Sequence, residues 1–196
     1  MSEYKFNTNC IQAGYKAESG QPQVLPIVQN TTYRYYNCED VAALFDLESA
    51  DFMYTRLGSP TVNALEEKMA ALEGGTAAIA ASSGQAANLI TMLNICQAGD
   101  HIIACANIYG GTFNLFGVTL KKMGIETTFI DQNLSAEEIV ALAKPNTKAI
   151  FGESLGNPAL TVLDIEKFSK AAGEIGVPLV VDNTLASPYL CQPLKY

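Results

Sequence analysis

Several short stretches of the chain set polar, charged or aromatic residues directly after brief apolar runs, and each suggests a contact to a small charged ligand. Ser82-Ser83-Gly84-Gln85 precedes a helical pattern. Free backbone N–H groups and the positive dipole end at such a turn hold an anion, a phosphate above all; the alternative is a plain helix cap. Asn107-Ile108-Tyr109-Gly110-Gly111 sets an aromatic ring beside glycines that let the backbone approach a flat ligand, although a packed loop tyrosine reads the same way. Glu153-Ser-Leu-Gly-Asn157-Pro158 offers Asn157 as a donor to a ring oxygen or a carboxylate, or else a simple turn. Val180-Val181-Asp182-Asn183-Thr184 ends an apolar run on a carboxylate, which is costly to bury without a positive partner or N–H donors. A protonated pyridine nitrogen is such a partner; a loop-capping aspartate is the alternative. Jointly these segments supply a phosphate cradle, a ring platform, a polar contact and a ring-nitrogen carboxylate.

The elements that must position them read as an α/β pattern. From about residue 60 short apolar strands alternate with helices: Ser59-Pro60 opens a helix stopped at Gly74-Gly75, and Ala77 to Ser82 reads as a short strand. Helices are expected over Gly84 to Gln97, Thr112 to Met123, Ser135 to about Lys144, where Ser135 and Glu138 form a capping box, and Asp164 to Ile175. Strands are expected over His101 to Ala106, Ile125 to Ile130, Lys148 to Glu153 and Val177 to Asp182. This predicts a mostly parallel sheet sandwiched by helices, with ligands bound beyond the carboxyl ends of the strands. Residues 1–60 are rich in Asn, Gln, Tyr and Pro, with one short helix near Asp40 to Leu47, and read as an arm that contacts a neighbouring subunit. Residues 61–196 form the α/β domain.

Composition narrows the function. A net charge of -8 argues against nucleic-acid binding, which needs a basic face. Only two arginines occur, Arg34 and Arg56, so each carries weight as an anion ligand. Five scattered cysteines without close pairs predict reduced thiols in a cytoplasmic protein and no metal site. No uninterrupted apolar run reaches the ~18 residues of a membrane span. The single histidine, His101, opens an apolar strand and reads as structural. No G-x-G-x-x-G follows a strand and no G-x-x-x-x-G-K-[ST] occurs, so dinucleotides and nucleoside triphosphates lack their phosphate loops.

The stretches Pro26-Ile-Val-Gln-Asn-Thr-Thr32, Tyr54-Thr-Arg56-Leu-Gly-Ser-Pro60-Thr, Ala71-Leu-Glu-Gly-Gly75, Ser83-Gly-Gln-Ala-Ala87, Glu153 to Pro158 and Val181-Asp-Asn-Thr-Leu-Ala-Ser-Pro-Tyr189 resemble the Cys/Met-metabolism family of pyridoxal-phosphate enzymes. The resemblance covers nearly the whole chain. Within that family, Gln85, Tyr109-Gly-Gly-Thr-Phe-Asn-Leu-Phe116 and Ser154-Leu-Gly before Asn157 are most similar to O-acetylhomoserine sulfhydrylases; synthases and γ-lyases more often carry Met at the Gln85 position. The resemblance implies the aspartate-aminotransferase-like fold type I, a homo-oligomer with its active site at a subunit interface, and methionine biosynthesis as the setting. It implies that Gly84 and Gln85 bind the cofactor phosphate, and that Tyr54 and Arg56 reach the phosphate of a neighbouring subunit. Tyr109 would stack on the ring and assist the leaving group, Asp182 would pair with the ring nitrogen, and Thr184 would join the cofactor contacts. Glu153 and Asn157 would lie on the substrate side, with Asn157 also touching the cofactor. The reaction implied makes homocysteine, or methionine, from O-acetylhomoserine and sulfide, or methanethiol. A cystathionine γ-synthase or methionine γ-lyase of the same family, or a non-catalytic assembly subunit, are the alternatives. Two departures stand out. Gln12 occupies a position where relatives often have His, and the Ser-x-Thr-Lys-like motif of the Schiff-base lysine is absent up to Tyr196. The expectation is therefore a chain that ends before that lysine, that lacks the last part of its cofactor domain, and that is inactive alone.

Overall fold

The computed structural model describes residues 4–196 and divides into two compact units, Met1–Ala80 and Ala81–Tyr196. The first unit contains α1 (Phe6–Gln12), α2 (Cys38–Phe45) and α3 (Pro60–Glu73). The Asn37 side chain caps α2 by accepting from the Asp40 N–H, and Ser59 caps α3 by accepting from Val62, with proline in the first turn. Gly74 ends α3 in the left-handed conformation, where a β-carbon is disfavoured. The extended segments between helices are tied by polar contacts. The Thr55 hydroxyl donates to the Asn30 carbonyl, Tyr35 Oη donates to Phe52 O at 2.7 Å, and Thr32 and Tyr54 form an isolated antiparallel bridge. α1 lies against α3, and Lys68 Nζ donates to Ile11 O at 3.3 Å. The turn after α1 requires glycine: Gly14 has φ +84° and a β-carbon there would lie 2.1 Å from Ala64 O. α1 had no clear sequence signal, since it lacks a capping side chain and buries no residue.

The second unit holds β1 (His101–Cys105), β2 (Glu126–Ile130), β3 (Thr147–Glu153) and β4 (Leu179–Asp182) in the order β2-β1-β3-β4. All three pairings are parallel, as the alternation of elements requires. α4 (Gly84–Ile95) precedes β1; α5 (Gly110–Asn114), α6 (Ala136–Ala141) and α7 (Ile165–Ile175) lie in the three crossovers, and α8 (Ser187–Leu190) follows β4. Central strand residues Ile102, Ile103, Ala104, Ile150 and Phe151 are fully buried, and Met92, Phe116, Leu120, Ile139 and Phe168 pack on the sheet from the helices. Phe116 meets Phe151 edge-on with ring centroids 4.8 Å apart. Ser135 and Glu138 form the expected capping box, and Asp164 and Gly176 bound α7.

Two local expectations are corrected. Ala77 to Ser82 is extended but forms no strand: among the described residues no neighbour pairs with it, Ile79 is 85% exposed, and the Ala80 N–H is taken by Glu66 Oε1 at 2.7 Å. An apolar run becomes a strand only where a ladder partner exists. The helix expected from Thr112 starts at Gly110, and its second half, Leu115–Leu120, is π-helical.

His101 is structural, as its position suggested. It is fully buried, with Nδ1 2.8 Å from Thr147 Oγ1 and Nε2 2.8 Å from Thr128 Oγ1. Burial first, and then the Lys144 charge, lower its pKa from 6.5, so the fold favours the neutral ring. A depressed pKa contributes stability that is present above the ordinary histidine pKa and lost as pH falls. Urea midpoints of the purified protein should therefore fall between pH 7.5 and 5.5. His101→Gln should lower the midpoint at pH 7.5 and flatten that slope; an unchanged slope would assign the pH dependence to other groups.

Candidate functional site

The carboxyl ends of the strands converge on a cavity of about 320 Å3, lined by Ser83, Gly84, Gln85, Tyr109, Glu153, Leu155, Asn157, Asp182, Thr184 and Leu185. Every expected site residue of the second unit thus lies in one place. Tyr54 and Arg56 lie in the first unit, where the Arg56 guanidinium sits 5.2 Å from the Tyr54 ring centroid. Among the described residues neither arginine forms an ion pair.

One end of the cavity is built for an anion. Ser83 caps α4, its hydroxyl accepting from Ala86 N at 3.1 Å while its carbonyl accepts from Ala87 N at 2.9 Å. The amides of Gly84 and Gln85 keep no partner among the described residues and stand at the positive end of a 12-residue helix. A β-carbon on Gly84 would meet nothing within 4 Å, so the space on that side of the turn is open.

The other end carries Asp182, at the last position of β4. Its Oδ1 accepts from Thr184 N at 3.0 Å and from the Thr184 hydroxyl, and its Oδ2 accepts from Asn88 Nδ2 at 3.3 Å. Sequence reasoning missed Asn88. It lies on the buried face of α4, only 8% exposed, and also donates to Thr112 Oγ1 at 3.4 Å. Thr112 is fully buried and accepts from Gln85 Nε2 at 2.9 Å as well. A polar residue at a helical core position is the signal that could have found Asn88, but its partner is 94 residues away.

Beside Asp182 stands Glu153, buried at the end of β3 and in register with it. Its Oε1 accepts from Tyr109 N at 2.8 Å and its Oε2 from Asn157 N at 3.2 Å. Burial raises its pKa above the usual carboxylate value, the two N–H donors pull it back, and the Asp182 charge pushes it up again. Glu153 therefore ties the loop after β1 to the loop after β3. Tyr109 is half-exposed, and a β-carbon on Gly111 would lie 2.5 Å from its ring, so glycine is needed for the ring to fold back over the turn.

The sequence matches the Cys/Met metabolism PLP-dependent enzyme profile over residues 7–196. The chain belongs to that family. Family relatives include an O-acetyl-L-homoserine sulfhydrylase of Leptospira meyeri, 46% identical over 194 residues, which cover 98% of this chain and 44% of the relative. The O-acetyl-L-homoserine sulfhydrylase 1 of Thermus thermophilus is 44% identical, covering 98% of this chain and 46% of the relative. Among solved structures, a Campylobacter jejuni protein named as an O-acetylhomoserine (thiol)-lyase, with N′-pyridoxyl-lysine-5′-monophosphate in its chain, superposes with a TM-score of 0.92 at 36% identity. That match covers 98% of this chain and 47% of the other. Cystathionine γ-lyase of Lactobacillus plantarum, complexed with L-serine, gives a TM-score of 0.86 at 34% identity, covering 98% and 48%. The fold is that of the type I pyridoxal-phosphate enzymes, and the chain spans about half the length of the curated relatives it matches.

Removing the clamp tests how the family site is held together. Glu153→Ala leaves two amides without acceptors and should cost about 1–3 kcal/mol for each that stays buried. Hydrogen exchange at the Tyr109 and Asn157 amides should speed up about tenfold or more in that variant. Glu153→Gln, with one acceptor oxygen, should restore protection at one of the two amides; unchanged exchange at both would show that the loops hold themselves.

Proposed function

We propose that this chain is the N-terminal, cofactor-cradling part of an O-acetylhomoserine sulfhydrylase, a pyridoxal-phosphate-dependent transferase that makes homocysteine from O-acetylhomoserine and sulfide. The single observation that carries the reading is the two-ended cavity, with free helix amides at one side and the oriented carboxylate of Asp182 at the other. Those features fit pyridoxal phosphate: an anion for Gly84 and Gln85, a protonated ring nitrogen for Asp182, and a flat ring within reach of Tyr109. The relatives at 46% and 44% identity are O-acetyl-L-homoserine sulfhydrylases, which supports the sulfhydrylase reading.

Pyridoxal phosphate, when bound, supplies an electron sink for the pair released as a substrate C–H bond breaks. The chain's own residues do the positioning. Gly84 and Gln85 would hold the phosphate oxygens, and Asp182, with its oxygens contacted by Thr184 and Asn88, would pair with the protonated ring nitrogen. Tyr109 would lie against the ring and assist departure of the leaving group. Asn157 would orient the ring oxygen or the substrate carboxylate. Glu153 supports both loops on the substrate side. Tyr54 and Arg56 serve the phosphate of a neighbouring subunit in a homo-oligomer; an arginine stacked on tyrosine without a counter-ion is suited to that role. The cytosol is the setting that fits scattered cysteines without close pairs in sequence, of which Cys96 and Cys105 are buried thiols with pKa values pushed up to about 11 and about 12.

In the full-length protein, Asp182→Ala should cut homocysteine formation from O-acetylhomoserine and sulfide by about a thousandfold or more, since the electron sink depends on a charged ring nitrogen. A loss below tenfold would reduce Asp182 to a capping residue. Faster elimination from methionine than sulfhydrylation of O-acetylhomoserine by the wild type would move the protein to the γ-lyases. For the interface, an Arg56→Ala variant mixed with a variant defective in Asp182 should recover activity in hybrid oligomers, because each supplies the half the other lacks. Confirmed hybrids without recovery would place Arg56 in its own subunit's site.

A further inference from the structure

We propose that Asn88 is a positioning residue that orients the Asp182 carboxylate, with Thr112 as its anchor; the inference rests on the reading that Asp182 meets the cofactor ring nitrogen. A buried amide on the core face of a helix is costly unless its donors are used. Here both contacts of Nδ2 are made to oxygens of the site, Asp182 Oδ2 at 3.3 Å and Thr112 Oγ1 at 3.4 Å. The anchor itself is fully buried and also receives Gln85 Nε2 at 2.9 Å, so the amide cannot swing away without breaking a packed contact. Thr184 holds only Oδ1, which leaves the second oxygen of the carboxylate to Asn88. Without it only the Thr184 contacts on Oδ1 hold the carboxylate, and Oδ2 can pivot about them away from a partner in the cavity. Charged neighbours are few: α4 and α5 carry none, and Glu153, across the β3–β4 register, is the titratable group facing Asp182.

The test uses the purified full-length protein, stripped of cofactor, and measures pyridoxal phosphate affinity by absorbance or fluorescence. Asn88→Leu, close in volume but without a donor, should weaken affinity about ten- to a hundredfold, the range expected for a lost hydrogen bond to a charged group. In an Asp182→Ala background the same substitution should change affinity by less than about threefold, because Asn88 acts through that carboxylate. A merely structural role would weaken binding by the same factor in both backgrounds, and that result, like unchanged affinity, overturns the proposal. Should Asn88→Leu fail to fold, Thr112→Val decides by the same comparison, since loss of the anchor should weaken affinity only where Asp182 is present; equal loss in both backgrounds overturns the proposal. Asp182→Ala runs in parallel. Wild-type-like affinity in that variant would overturn the assignment of Asp182 itself, whereas a strong Asp182→Ala effect beside a silent Asn88→Leu would overturn only the role of Asn88.

Discussion

A carboxylate at the buried end of a parallel strand has to be met by donors, and in this chain that demand organises the site. Glu153 has lost most of its water, and only backbone N–H groups replace it. Those amides come from Tyr109 and Asn157, which open the loops after β1 and β3. Two segments that would otherwise move independently are thereby pinned to one side chain. The pinning demands close backbone approach, which explains glycine at 156: a β-carbon there would lie 2.5 Å from Asn107 O. The ring of Tyr109 and the side chain of Asn157 then project from fixed points. Loosening Glu153 would degrade two contacts that it does not itself make.

Much of this was legible in the sequence, and what was legible is local. Strand ends, helix caps and glycine stops are encoded by neighbouring residues, so Ser83, Gly84, Tyr109 and Asp182 could be marked by what precedes and follows them. The same holds for the capping box at Ser135 and the αL glycines at 74 and 176. Asn88 and Thr112 could not be marked. Their meaning comes from contacts across 24 and 94 residues, and by local criteria each is a polar residue inside a helix. Glu153 was marked, but its side chain turns to loop amides, which only the folded register of β3 against β4 reveals. The segment from Ala77 to Ser82 marks the converse limit: its composition suits a strand, yet a strand is a pairing, and no described residue pairs with it.

The arrangement suits a ligand with opposite charges at its two ends. Helix amides and the α4 dipole favour an anion beside Gly84 and Gln85. Two carboxylates, Glu153 and Asp182, favour a cation at the other side. Because Glu153 is already satisfied by N–H groups and its burial opposes ionisation, Asp182 is the carboxylate left to meet that cation. A protein with a net charge of -8 would repel an anionic ligand at long range, so capture of an anion at this cavity would depend on these short-range donors.

The spacing between the two ends is set by a single rigid element. Gly84 and Asn88 are four residues apart on α4, which is about 6 Å of rise and a little more than one turn. The first presents its amide to the anion, and the second turns its side chain inward to Asp182. Gln85, through Thr112, ties the first turn of the helix to the same buried hydroxyl that anchors Asn88. A shift of α4 along its axis would therefore displace the anion donors and the Asp182 contact together. That coupling makes the seating of one helix against the strand ends, rather than any one side chain, what sets the geometry of the cavity.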